Sequence, residues 1–373
     1  MQRSNLRKLI IGGIIITALA VVLLRGDQLI QLIETVQKGY LPLLILALVS
    51  QLGKYVNQSF AYSAAFKTVG EKRRAREMLP LVFGAYFLNT LAPSLNMAGM
   101  GLVIDDSRRR GIATGRSTSA ALLMQMSIES GFLVIMILGF VVLQLTGHLN
   151  PLWLLTLLIV VFLVGIMAGI MIIGRRSPEL VVSVLQHPER ILNNLSKRFR
   201  KGKELNPWAE KLVESFAEAA GTIAHNPRKA ALVFLFSIGA SICELGCFCL
   251  VGLAFGLSLP GALIGGYVVA TLFTMISVTP QGIGVMEVIT VTLLAAYGVP
   301  VAVATAVTLS YRGFVFWMPF ATGAILIHRT RTFSGEPKKK RPTEPRHARF
   351  DRSLSPGSHE ESAPERDEEP PKR

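Results

Sequence analysis

Histidine, cysteine and tryptophan are scarce, at 6, 3 and 3 among 373 residues. His148, His187, His225, His328, His347 and His359 stand apart from one another, and no His-Glu-x-x-His motif exists to hold a hydrolytic metal. Cys243, Cys247 and Cys249 fall within one apolar stretch with no histidine nearby, which reads as small buried residues rather than a metal or redox pair. Charged residues make up only 17% of the chain, and no polar segment is long enough to house a nucleotide-using catalytic domain. A Walker motif is missing too, so ATP-driven transport would need a second subunit. Acidic residues are outnumbered, 24 against 39 Lys and Arg, for a net charge of +15. Those cations lie between apolar runs rather than in a basic domain interleaved with aromatics, which excludes nucleic acid as a partner. The pattern suits topology signals and contact with anionic lipid headgroups at basic cytoplasmic loops. No cofactor and no metal is implied.

What the chain does have is apolar length. Hydrophobic residues make up 51%, far from a soluble profile. Leu41–Ala65 (with a polar patch), Thr118–Leu145, Leu152–Ile173 and Ala230–Leu257 each exceed the roughly 18 apolar residues that mark a membrane-crossing helix. Arg3, Arg7 and Lys8 followed by Leu9–Leu24 resemble a signal sequence. The cleavage-like triplet Ala18-Leu19-Ala20 lies inside the apolar run, however, so an uncleaved first membrane helix is predicted.

Basic connections mark the cytoplasmic side. Arg3 to Lys8 place the N-terminus inside, the charge-balanced Arg25–Lys38 falls outside, and Lys67–Arg76 is inside again. Met78–Ile104 then leads to a second basic cluster containing Arg108, Arg109, Arg110 and Arg116. Two basic loops on one side require an even number of crossings, and about 27 residues cannot supply two helices of roughly 20 each. A re-entrant hairpin from the cytoplasm is predicted, broken at Asn89–Ser94; the alternative is one crossing with one basic cluster outside. Thr118–Leu145 exits and Leu152–Ile173 returns. Gly174–Arg228 carries Val181, Val184, Leu185, Ile191 and Leu192 at helical spacing, which reads as amphipathic helices on the cytoplasmic surface or as a solvated helical hairpin. Ala230–Leu257 exits again. With Lys338–Arg341 inside, an odd number of crossings remains for Pro260–Ile327. One solution is a second hairpin, Ala262–Thr279 and Val285–Tyr297, followed by one crossing, Val299–Ile327. Three ordinary crossings also satisfy the parity, although Val285–Tyr297 is short for a span. The tail from Phe333 to Arg373 is rich in Pro, Ser and charge and is predicted to be disordered.

The interruption inside Pro260–Ile327 is where chemistry is expected. In Pro280-Gln281-Gly282-Ile283-Gly284-Val285-Met286-Glu287, proline and two glycines free backbone groups at membrane depth, and a carboxylate follows. Such breaks are tolerated where protein packs around them or where they line a cavity. Glycines at alternate positions let a ligand approach the backbone, and a helix starting near Ile283 to Met286 would offer its N–H groups to a phosphate or carboxylate. A structural kink with Glu287 as its cap is the plainer reading. Tyr311-Arg312 lies deep in the last apolar run, where an arginine costs roughly 2.5–3.5 kcal/mol on insertion scales. It needs a partner, with Glu287 the natural one and Glu129 and Glu244 the alternatives. A structural bridge and recognition of a headgroup phosphate by the guanidinium are the two roles open to it. Glu129 and Glu244 read either as proton-coupling carboxylates or as interhelical hydrogen-bonding groups. Asn89, Pro93, Asn96, Gly99 and Gly101 form the polar tip of the first hairpin.

The phrase from Pro280 to Glu287, with Gly298-Val299, Tyr311-Arg312, Pro319 and Gly323, resembles the C-terminal signature of the flippase-like transmembrane domain of lysylphosphatidylglycerol synthases. Asn89, Pro93 and Gly99-x-Gly101 resemble its first motif, and the resemblance covers roughly residues 5–330. It implies a domain that moves lipid between leaflets. The soluble synthase domain is missing here, so synthesis of lysyl-lipid by this chain alone is not expected. The first motif departs from the family's adjacent glycines with a close arginine, and Glu129 lacks an arginine neighbour. Lysyl-phosphatidylglycerol is therefore not carried over as substrate.

The resulting expectation is an all-α polytopic integral membrane protein with about six full crossings and two re-entrant helical hairpins. An inverted repeat would place the two broken segments together near the midplane. Residues 1–330 form the transmembrane domain, with 174–228 as a cytoplasmic insertion, and 331–373 form the tail. The expected function is translocation of a phospholipid or lipid-linked sugar in the cell membrane, with both termini cytoplasmic. Pro280, Gly282, Gly284, Glu287, Tyr311, Arg312, Asn89, Pro93 and Glu129 are the candidate substrate-binding residues. A membrane-embedded transferase using Glu287 as base, or a scaffold for a partner lipid enzyme, is the alternative; a homo-oligomer is also open.

Overall fold

The structure, a computed structural model, describes residues 34–91, 97–147, 226–277, 280–327 and 330, with isolated positions between 154 and 173 and residue 221. The predicted helix Leu9–Leu24, Pro93 and Asn96, most of Leu152–Ile173, nearly all of Gly174–Arg228 and the tail from Phe333 lie outside the described residues. Among the described residues every regular element is helical.

Helix α1 (Leu41–Thr68) carries Pro42 in its first turn, where a missing N–H does no harm. Its 28 residues make it about 42 Å long. Its amphipathicity is inverted. Gln51, Lys54, Gln58 and Ser59 are buried beside Ala47, Tyr55 and Tyr62, while Ile45, Leu46, Val49, Leu52, Val56 and Phe60 are exposed. That arrangement suits a helix whose surroundings are lipid and whose polar groups turn towards the protein.

Helices α2 (Ala75–Leu91) and α3 (Met97–Arg109) pack against each other as an antiparallel pair. At the inner end, Asn89 Oδ1 accepts the Gly99 N–H at 2.7 Å. At the outer end, Arg73 donates to Asp106 Oδ2 at 3.0 Å and to Ser107 Oγ at 2.8 Å. Arg110 donates to the same Asp106 oxygen at 2.8 Å. The two basic clusters on either side of Met78–Ile104 are therefore neighbours. With 17 and 13 residues, the helices reach only about 26 and 20 Å, short of a hydrocarbon core of about 30 Å.

Helices α4 (Thr114–Leu145) and α5 (Pro227–Ala254) are each long and apolar enough to cross a membrane, as is the stretch Val301–Leu326. Helix α5 runs antiparallel to α1 along a seam of small residues, where Ser50 faces Gly246, Gly53 faces Cys243 and Asn57 faces Gly239. Small side chains let the backbones approach, and Ser50 Oγ donates to the Cys243 carbonyl at 2.7 Å. Cys247 is fully buried in the core beyond this seam. The cysteines thus serve as small packing residues.

Helix α6 (Pro260–Ile276), a tight turn at Pro280–Gly282 and helix α7 (Val285–Ala296) make a second antiparallel pair. Gly261 sits near Tyr297, Gly266 near Leu294 and Gly282 near Thr274. Helix α8 (Val301–Arg312) continues through a widened, five-residue π turn at Gly313–Trp317 into α9 (Met318–Leu326). Pro319 explains the widening, because its ring would otherwise strike the carbonyl four residues earlier. The larger apolar core gathers Phe248, Tyr267, Leu272, Leu294 and Tyr311 from α5 to α8, with Leu44 and Ala47 of α1 and Met136 of α4.

Candidate functional site

The interruption between α6 and α7 reverses the chain through left-handed backbone, with φ of 53° at Gln281, 63° at Gly282 and 86° at Gly284. Gly282 has a second constraint, since a Cβ there would lie 2.6 Å from the Thr274 side chain. Gly284 precedes the first residue of α7, and its N–H is accepted by Glu287 Oε2 at 2.8 Å. The other carboxylate oxygen, Oε1, accepts Arg312 Nε at 3.0 Å. Arg312 Nη1 donates to the Gln281 carbonyl at 3.1 Å, and its guanidinium lies 4.9 Å from the Phe316 ring centroid. One arginine from α8 therefore satisfies a carbonyl of the break and neutralises the carboxylate that caps the next helix.

The arrangement combines the two roles that the sequence leaves open for Glu287, which caps α7 and pairs with Arg312. The alternative partners are engaged elsewhere: Glu129 Oε1 accepts Gln125 Nε2 at 2.7 Å, and Glu244 pairs with Lys54. Pro280 begins the turn. Asn89 closes the other interrupted segment through its bond to Gly99. Helix α2 packs against the Pro280–Gly282 turn, so the two interrupted segments are neighbours. Tyr311 points away from Arg312 into the core, edge-on to Phe248 at 5.0 Å and to Tyr267 at 6.5 Å.

A second polar centre is not found by sequence reasoning. Lys54 of α1 forms a buried ion pair with Glu244 of α5, with only 4% and 6% of their side chains exposed. The Tyr267 hydroxyl donates to Glu244 Oε2 at 3.3 Å. The Lys54 ammonium stands over the Tyr86 and Tyr55 rings, 5.1 and 5.7 Å from their centroids. Gln58 donates to the Tyr86 hydroxyl at 3.0 Å and Gln51 to that of Tyr55 at 2.9 Å. The sequence does carry a signal for it, in Gln51, Lys54 and Gln58 spaced along one face of an apolar helix. A polar patch alone does not name the helix it meets.

The sequence profile of the lysylphosphatidylglycerol synthase TM region matches residues 9–323, which include both polar centres. The chain belongs to that family. Members of this transmembrane family are membrane proteins, and the described helices agree. A segment of 57 residues is also 46% identical to a UPF0104 membrane protein from Pyrococcus horikoshii. That match spans 15% of this chain and 17% of the relative. In this member of the synthase TM-region family, Tyr267 touches Glu244 and packs edge-on against Tyr311, the sequence neighbour of Arg312.

Proposed function

We propose that this protein moves a phospholipid or a lipid-linked sugar between the leaflets of the cell membrane. The single observation behind this reading is the buried Arg312 guanidinium, held by Glu287 against the turn between α6 and α7. A guanidinium presents a fork of donors that matches a phosphate, and an ionisable group in such a place marks a substrate pathway. Membership of a lipid-related membrane family supports the same class of function.

The proposed topology has six crossings: Leu9–Leu24, α1, α4, Leu152–Ile173, α5 and the continuous α8–α9. The α2–α3 and α6–α7 pairs enter from opposite sides without crossing, with both termini cytoplasmic. Each of those four helices is too short for a comfortable span, and α2 meets the Pro280–Gly282 turn. A headgroup held between the two breaks, with access alternating around it, is the corresponding mechanism.

Proteoliposomes carrying a fluorescent phospholipid test the reading. Purified protein should expose label to an external quencher faster than protein-free vesicles do. Arg312→Gln should remove that acceleration while the protein stays folded and membrane-inserted. Wild-type movement by Arg312→Gln rejects the assignment, and turnover of a lipid-linked acceptor with an added donor would favour a transferase instead.

A further inference from the structure

The Lys54–Glu244 pair is a second buried pair of opposite charges, joining α1 to α5 apart from the Arg312–Glu287 contact. We propose that it is a proton-coupling site, at which one proton and one lipid phosphodiester bind together. The proposal rests on the lipid-moving reading and supplies its energy source.

Charge balance sets the coupling. In the structure, the Lys54 ammonium and Glu244 carboxylate neutralise each other inside a shell of rings. A proton added to the Glu244 carboxylate gives a neutral carboxylic acid and leaves the ammonium without its counter-ion. A phosphodiester oxygen, carrying one negative charge, then replaces the carboxylate beside Lys54. No covalent bond other than O–H forms or breaks, and the loaded site is again neutral. Either half-loaded state leaves one buried charge unpaired, which is strongly disfavoured at low dielectric. Proton and lipid are thereby obliged to travel together, and the empty ion pair can return alone.

The surroundings fit such an exchange. Among the described residues, the titratable groups around the pair are Tyr55 of α1, Tyr86 of α2, Cys247 of α5, Tyr267 of α6 and Tyr311 of α8. All are neutral in their usual protonated forms, so Lys54 and Glu244 carry the only charges within this group of residues. Gln51 Oε1 is fully buried, one turn before Lys54 on the same face, and has no hydrogen-bond partner among the described residues. It is an acceptor available to an ammonium released from Glu244. Tyr267 touches Glu244 and stacks edge-on with Tyr311, the sequence neighbour of Arg312.

The test uses the full-length protein in phosphatidylcholine vesicles with fluorescent phosphatidylglycerol as probe, under an imposed pH gradient. With one proton per lipid, the label should accumulate in the leaflet facing the alkaline side by about tenfold per pH unit, because each tenfold step corresponds to about 1.4 kcal/mol. An electroneutral step also predicts that a potassium-diffusion potential alone shifts nothing. Glu244→Gln should hold the leaflet ratio at unity under any gradient. Lys54→Gln/Glu244→Gln, which leaves no unpaired charge and so preserves the fold, should do the same. Label movement in the wild type that ignores the pH gradient, or gradient-driven accumulation by the double variant, overturns the coupling while leaving lipid movement intact. Absence of any protein-dependent label movement, or uptake of radiolabelled inorganic phosphate instead, overturns the lipid reading itself.

Discussion

Glu287 uses its two carboxylate oxygens for two different tasks, closing α7 onto the Gly284 N–H and holding Arg312 by its Nε. The cap fixes the carboxylate in the first turn, where the helix dipole favours negative charge, and the fixed carboxylate places the guanidinium against the break.

Glu287→Gln separates these tasks. The amide can still accept from Gly284, but Arg312 loses its counter-charge while remaining 5% exposed. Because the Glu287 side chain is about a quarter exposed, the expected loss is about 2–4 kcal/mol, near the lower end for breaking a buried pair. Thermal unfolding in detergent measures it, and a shift indistinguishable from zero would show the pair to be solvated.

Gly282→Ala should destabilise by roughly 1–3 kcal/mol, combining a left-handed backbone that alanine avoids with contact against Thr274. Adding Thr274→Ser removes the nearest methyl and should recover only part of the loss. Full recovery would mean that backbone strain contributes nothing.

Asp106→Asn should loosen the outer end of the α2–α3 pair, because Arg73 and Arg110 share that carboxylate. Burial pushes the Arg73 guanidinium below its ordinary pKa, and Asp106 opposes this shift. The expected cost is about 3 kcal/mol, at the lower end for breaking a buried pair, because Glu77 still faces both arginines. Limited proteolysis between Lys67 and Arg76 should accelerate, and unchanged cleavage would refute the anchoring role.

Cysteines at Pro93 and Pro280, introduced singly after replacing Cys243, Cys247 and Cys249 with alanine, report on the topology. Impermeant maleimide should reach the two positions from opposite sides of the membrane. Labelling of both from one side only, in every transport state, would contradict two hairpins that enter oppositely.

The short interruptions are legible in the sequence because proline, glycine and polar residues inside an apolar run end or bend a helix wherever they fall. The partnership of Arg312 with Glu287 is legible for a related reason, since an arginine in an apolar run needs a carboxylate and Glu287 is close in sequence. Helix boundaries differ by only a few residues: α6 starts at Pro260, ahead of Ala262, and α7 ends at Ala296. Glu129 and Glu244 are equally acceptable partners for Arg312 on charge alone, and only contacts decide between them.

Composition, charge and hydropathy by themselves determined that this is a membrane protein with broken segments, because solvent preference is additive along a chain. Family membership followed from the same string of residues. Only the tertiary structure decided that Lys54 meets Glu244, 190 positions away, and that Tyr267 and Tyr311 pack beside this pair. Periodicity shows which residues share a helix face. It does not show what that face meets, because the facing helix is chosen by packing across the whole bundle.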